Sequence, residues 1–67
     1  NTEEFMTASL YKLQKVTGMT ATMWRRYFNG ETTISEKSLK KASKTLRLDY
    51  GDIIRLIDAR RDRTAKS

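Results

Sequence analysis

The side chains best equipped for recognition in this 67-residue chain lie between positions 22 and 29. At about 100° per residue, Thr22, Arg25, Arg26 and Asn29 gather on one face of a helix, and Trp24, Tyr27 and Phe28 share the opposite face. A guanidinium offers two parallel N–H donors to an acceptor pair such as guanine O6 and N7, and a carboxamide can donate to phosphate or read adenine. That chemistry is noncovalent and suits a polyanion. An ordinary amphipathic surface helix carries the same pattern, so the connection that leads into this helix has to decide between them.

Bond-making chemistry has little to draw on. The chain contains no histidine and no cysteine, which removes the side chain that titrates near neutrality, the commonest metal ligand, thiolate nucleophiles and disulfides. Glu3/Glu4 and Asp49/Asp52 stand where helices are expected to start, so they serve a helix dipole better than they serve as an acid/base pair. The sequence therefore predicts a non-enzymatic chain with no cofactor, no metal site and no evident small-molecule ligand.

Lys and Arg number 14 against 8 Asp and Glu, giving a net charge of +6. The cations fall into groups: Lys12 and Lys15; Arg25 and Arg26; Lys37, Lys40, Lys41, Lys44 and Arg47; and Arg55, Arg60, Arg61, Arg63 and Lys66. Spread this widely, they either draw a polyanion to the whole surface or keep that surface solvated. No apolar run approaches the roughly 20 residues of a membrane span, so no membrane partner is expected. Asn1, Glu3 and Glu4 are wrong for the basic start of a secretory signal, and no apolar stretch follows them. A cytoplasmic location is expected. The chain opens on Asn1 rather than methionine, as a processed chain or a piece of a longer one does.

The elements that must position the polar face come from one recurring device. An apolar residue precedes a capping Ser, Thr or Asp, and a second apolar residue follows at the fourth helical position. Ala8-Ser9 with Leu13, Met19-Thr20 with Trp24, Ile34-Ser35 with Leu39, and Leu48-Asp49 with Ile53 all fit, which predicts helices beginning near residues 10, 21, 36 and 50. Gly18 suits a left-handed cap at the end of the first, and Asn29-Gly30 suits one at the end of the second. Leu39, Ala42 and Leu46 give the third an apolar stripe, and Ile53, Ile54, Leu56 and Ile57 give the fourth its own. No run alternates as a strand would, and no segment repeats.

Two arrangements fit the chain ahead of Ser9. Thr2 could cap a short separate helix with Glu3 and Glu4 in its first turn, or one helix could run from about residue 3 to 17 with Phe5, Met6, Leu10, Leu13 and Val16 on one face. Beyond Ile57 the apolar pattern stops but no breaker appears, so the last helix should run a turn or more past the core. Its basic end is either a solvated, frayed terminus or an arm that adds a phosphate or dimer contact. The whole of 1–67 therefore forms one domain: a short or truncated first helix within 1–8, a core over 9–57, and a basic helix end and tail over 58–67. A domain this small buries only about 60% of its unfolded surface and has no room for a large enclosed site.

The pattern Ser9-x3-Leu13-x4-Gly18-Met19-Thr20-x3-Trp24-x2-Tyr27-x2-Gly30, followed by Ile34-Ser35-x3-Leu39-x2-Ala42-x3-Leu46, resembles the lambda-repressor/Cro (XRE) class of DNA-binding domains over about residues 9–57. The resemblance implies an all-α fold, a small bundle of four or five short helices that contains a helix-turn-helix. It also implies binding to double-stranded DNA, usually as a homodimer, in transcriptional control. Carried over by position, Ala21, Thr22, Arg25, Arg26 and Asn29 become candidates for reading bases, with Trp24 and Tyr27 at buried positions of the same helix. Ser9, Thr20, Thr32, Thr33 and Lys37 become candidates for phosphate contact. The chain departs from the class in three places. Gln14 stands where alanine is usual, so the two helices splay or Gln14 turns outward; Trp24 is large for its position; and fewer residues precede Ser9 than the class's first helix takes, which leaves a core wall thin.

The expected function is sequence-specific double-stranded DNA binding by a transcriptional regulator, with helix 21–29 in the major groove. The competing expectation is a helical protein-interaction module, antitoxin-like or adaptor, whose basic surface meets an acidic partner. RNA suits this geometry less, because the A-form major groove is too narrow for a helix.

Overall fold

The computed structural model describes residues 2–65, and within them the chain is helical apart from its short connections. Five helices follow one another as α1 (Thr2–Thr7), α2 (Leu10–Thr17), α3 (Ala21–Asn29), α4 (Glu36–Leu46) and α5 (Tyr50–Ala65). The last four start at residues 10, 21, 36 and 50, where the capping pattern places them. Lys66, the last of the basic groups, lies outside the described residues.

Hydroxyl caps set three of those starts. Ser9, Thr20 and Ser35 all hold extended backbone, and their side-chain oxygens accept the N–H of Lys12, Met23 and Ser38 at 3.0, 3.2 and 3.2 Å. Each satisfies one of the N–H groups that a helix start leaves without an intrahelical partner. At α5 the carbonyl of Asp49 accepts the first intrahelical bond, from Ile53 N–H at 3.0 Å. The apolar residues flanking the caps pack as the device requires: Met19 and Trp24 are buried, as are Leu39 and Ile53, while Ile34 and Leu48 are half-buried.

Helix ends follow the glycines at two places and depart from them at a third. Gly18 (φ 76°) and Gly30 (φ 74°) close α2 and α3 in the left-handed region. Arg47 closes α4 at φ 57°, a conformation that glycine adopts more easily, and no sequence signal marks it. Its N–H donates to Ser43 O, as does that of Leu48 at 3.2 Å, and the Ser43 hydroxyl donates back to Leu48 O. The turn is thus held from both sides.

Of the two arrangements ahead of Ser9, the chain adopts separate helices. Once Ser9 turns to extended backbone to cap α2, a continuous helix across it is impossible, and Val16, which that helix would have packed, is 43% exposed. Thr2 is not the cap of α1 but already part of it. Short as α1 is, Phe5 and Ala8 close the core wall, both of them buried. Arg60, from α5, reaches back over that wall, and its guanidinium donates to Phe5 O at 2.7 Å.

Trp24 occupies the centre of the core and is fully buried. Phe5 and Tyr27 meet its ring edge-on, with centroids 5.8 and 5.6 Å away, and Phe28 stacks on it at 5.6 Å. Such aromatic contacts add about 0.5–1.5 kcal/mol each beyond the area they bury. Leu13, Leu39, Ala42, Ile53 and Ile57 complete the buried set, but Ile54 of the expected α5 stripe is 44% exposed. Helix α5 continues past Ile57 to Ala65, about two turns beyond the core. No helix among the described residues is long and apolar enough to cross a membrane.

Candidate nucleic-acid interface

Helix α3 meets the rest of the molecule through its aromatic side and through two polar links, one at its first residue and one at Trp24. Thr17, the last residue of α2, is buried, and its hydroxyl donates to Leu13 O at 2.6 Å. The same oxygen accepts the indole N–H of Trp24 at 3.1 Å and the backbone N–H of Met19 at 3.2 Å. One hydroxyl therefore fastens the end of α2, the turn and the middle of α3 together. Gln14 turns outward rather than between the helices, and its Oε1 accepts the N–H of Ala21 at 2.7 Å. Gln14 is thus a second cap on α3, supplied by the helix before it.

These links orient α3 so that Trp24, Tyr27 and Phe28 are buried while Thr22, Arg25, Arg26 and Asn29 are exposed. Ala21 is half-buried. Ala21, Thr22 and Arg25 line one shallow depression with Leu10 and Tyr11, and Arg25 and Asn29 line the next with Leu10, Phe28 and Arg60. The two depressions share Arg25, so Ala21, Thr22, Arg25 and Asn29 form one continuous surface. Arg26 is exposed but lines neither.

The phosphate candidates are all exposed and scattered around that surface. Ser9 and Thr20 already use a side-chain oxygen as a cap, which leaves the hydroxyl hydrogen to donate. Thr32 and Thr33 lie in the α3–α4 loop and line a separate groove with Tyr27, Ile34, Ile54 and Ile57, turned toward α5. Lys37 sits in the first turn of α4. The structure does not bring Thr32 and Thr33 into the same depression as the candidate base readers.

Two charged side chains and one aromatic were not singled out from the sequence. Tyr11 is 79% exposed beside Ala21, Thr22 and Arg25, an aromatic on the polar side of α2. Glu31 places Oε2 3.6 Å from Arg25 Nη1 and accepts from Asn29 Nδ2 at 3.2 Å. Arg60 stacks over the Phe28 ring at 4.3 Å, and burial, followed by the charge of Arg63, lowers its pKa below the usual arginine value. Exposure on the expected polar face of a helix was the available signal for Tyr11; the carboxylate of Glu31 follows the Gly30 cap directly. Lys41 lies over the α2–α3 turn, close enough that a Cβ on Gly18 would come within 3.2 Å of its Nζ. Its cation thus stands at the negative end of the α2 dipole.

Among the described residues, no group of three or more Asp or Glu side chains is placed to hold a metal ion. What the surface offers is the hydroxyl, guanidinium and carboxamide donors of Thr22, Arg25 and Asn29, on a chain whose net charge is +6. No protein-family model, curated protein or solved structure matches the chain.

Proposed function

We propose that this chain is a helix-turn-helix domain of the lambda-repressor/Cro kind that binds double-stranded DNA sequence-specifically in transcriptional regulation, with α3 in the major groove. The observation that carries the proposal is the division of α3: Trp24, Tyr27 and Phe28 are buried, and Thr22, Arg25, Arg26 and Asn29 are offered to solvent. A helix so held can enter a major groove about 12 Å wide with its polar side leading. The net charge of +6 supports it, because neutralising phosphates and releasing their counterions provides much of the affinity for a duplex. Cytoplasmic location and the absence of catalysis belong to the same proposal.

A salt titration of binding to duplex DNA tests it. Oligonucleotides selected from a random pool for binding, and random duplex of the same length, are compared by fluorescence anisotropy. The expected result is a linear fall of log K with log salt for both, with the selected site bound on the order of 1,000-fold or more tighter. Equal affinity for the two would remove the sequence-specific part of the proposal.

A protein-interaction module, antitoxin-like or adaptor, is the second proposal, and the groove lined by Ile34, Ile54 and Ile57, with Ile54 44% exposed, favours it. Association there, with an acidic partner or with a second copy as a homodimer, would persist in salt that abolishes DNA binding.

A further inference from the structure

Glu31 is in the wrong place to stabilise the helix it follows. A helix C-terminus carries the negative end of the dipole and favours cations, yet the residue directly after the Gly30 cap is a carboxylate. Its ion pair with Arg25 is half exposed on both sides, a class of pair that contributes little to stability. The backbone nevertheless holds it firmly. Gly30 N–H donates to Tyr27 O at 3.2 Å and Glu31 N–H to Arg26 O at 2.9 Å, the paired bonds of a left-handed helix cap. So fixed, the side chain turns back along the exposed face of α3 and reaches two of the residues proposed to read bases.

We propose that Glu31 is a positioning residue that sets the sequence selectivity of α3 through Arg25 and Asn29. The inference rests on the DNA-binding proposal above. Arg25 has five N–H donors in a planar fork, and directing Nη1 at Glu31 leaves its other nitrogens to face guanine O6 and N7. For Asn29 the carboxylate decides which end of the carboxamide is which, since an ionised carboxylate only accepts and must therefore face Nδ2. That leaves Oδ1 and the second N–H of Asn29 outward, the pair that meets N6 and N7 of adenine. Both base contacts are thus compatible with the clasp.

Phosphate contact is not. On an unmatched sequence Arg25 gains by swinging to the nearest phosphate, and Glu31 competes with that phosphate for the same guanidinium while repelling the DNA backbone. The carboxylate therefore lowers affinity for random duplex more than for a matched site. It acts by penalising the wrong ligand as well as by preparing the right one.

The test is Glu31→Gln, with Glu31→Asp as the conservative control, measured on the selected and random duplexes across salt. Glu31→Gln should raise random-duplex affinity about threefold and lower the selected-to-random ratio by about fivefold or more, and Glu31→Asp should restore most of the ratio. A ratio unchanged in Glu31→Gln, with both affinities raised alike, would show a charge that merely repels DNA and would overturn the proposal while leaving DNA binding intact. A wild-type chain that does not prefer any selected duplex would overturn the DNA-binding proposal, and this one with it. In the DNA-free protein, Glu31→Gln should shift the Asn29 Nδ2 and Arg25 side-chain NMR signals; signals that stay put would overturn the clasp independently of any DNA measurement.

Discussion

The indole N–H of Trp24 donates to the hydroxyl of Thr17 at 3.1 Å, and this contact joins the most deeply buried side chain of α3 to the last residue of α2. The hydroxyl also donates to Leu13 O and accepts from Met19 N–H, so its one hydrogen and both lone pairs are used. Threonine at position 17 is therefore a three-way tie at the turn, and its chemistry can be separated from its shape.

Thr17→Val keeps the volume and removes the oxygen. Two buried donors, Trp24 Nε1–H and Met19 N–H, lose their acceptor, and a buried donor left unmatched costs about 1–3 kcal/mol. We expect a total loss of about 2–6 kcal/mol for Thr17→Val. Thr17→Ser, which keeps the hydroxyl and loses one methyl, should cost about 1 kcal/mol. Urea unfolding followed by circular dichroism and Trp24 fluorescence measures both. Equal losses in the two variants would mean that packing, not the hydroxyl, holds the turn.

Gln14 allows stability and binding to be moved in opposite directions. Its Oε1 accepts Ala21 N–H at the positive end of the α3 dipole, where an acceptor with full negative charge is favoured. Gln14→Glu should keep the cap and leave the domain as stable or up to about 1 kcal/mol more stable at low salt. If α3 occupies the major groove, the same charge comes close to the DNA phosphates, and duplex affinity should fall severalfold. Gln14→Ala should lose about 0.5–1 kcal/mol of stability. Were Gln14→Glu to weaken folding as much as Gln14→Ala, Gln14 would not be capping α3 in solution.

How much of this was legible in the sequence follows from the range of each interaction. The starts of α2 to α5 and the two faces of α3 depend on residues within one turn of each other, so Ser9, Thr20, Ser35, Asp49 and the spacing of Trp24, Tyr27 and Phe28 were sufficient. Thr17 and Gln14 act across the helix crossing, seven residues from their partners, and nothing local separates a capping glutamine from a solvated one. Glu31 reads as loop polarity until the Gly30 cap folds it back onto Arg25. The separation of α1 from α2 turned on whether Ser9 capped or continued, and the break is rewarded at long range, by the aromatic packing of Phe5 against Trp24 and Phe28 and by the Arg60 guanidinium on Phe5 O.

Arg25 and Lys37 should differ in how they fail. If α3 occupies the major groove, Arg25→Ala costs about 1–3 kcal/mol on the selected site and much less on random duplex, whereas Lys37→Ala weakens both alike and lowers the salt slope by about 1. Both residues are exposed, so neither change should disturb folding. Anisotropy titrations at several salt concentrations separate the two behaviours. An Arg25→Ala variant that loses selected and random binding equally would place Arg25 on phosphate rather than on a base.

Two left-handed helix caps should respond with opposite signs. Gly18 holds φ 76° where α2 ends, and alanine there meets both the left-handed penalty and Lys41, whose Nζ and Cε would lie 3.2 and 3.3 Å from the new Cβ. The flexible end of Lys41 can move aside, so the backbone term dominates, and Gly18→Ala should cost about 1–2 kcal/mol. Arg47 already bears that penalty at φ 57°. Arg47→Gly removes it, while the greater freedom of glycine in the unfolded chain returns part of the gain, for a net stabilisation of about 0.5 kcal/mol. In a domain of this size 1 kcal/mol moves the melting temperature by about 4–8 °C, so thermal unfolding resolves both changes. Arg47→Gly melting below the wild type would mean that contacts of the Arg47 side chain outweigh its backbone conformation.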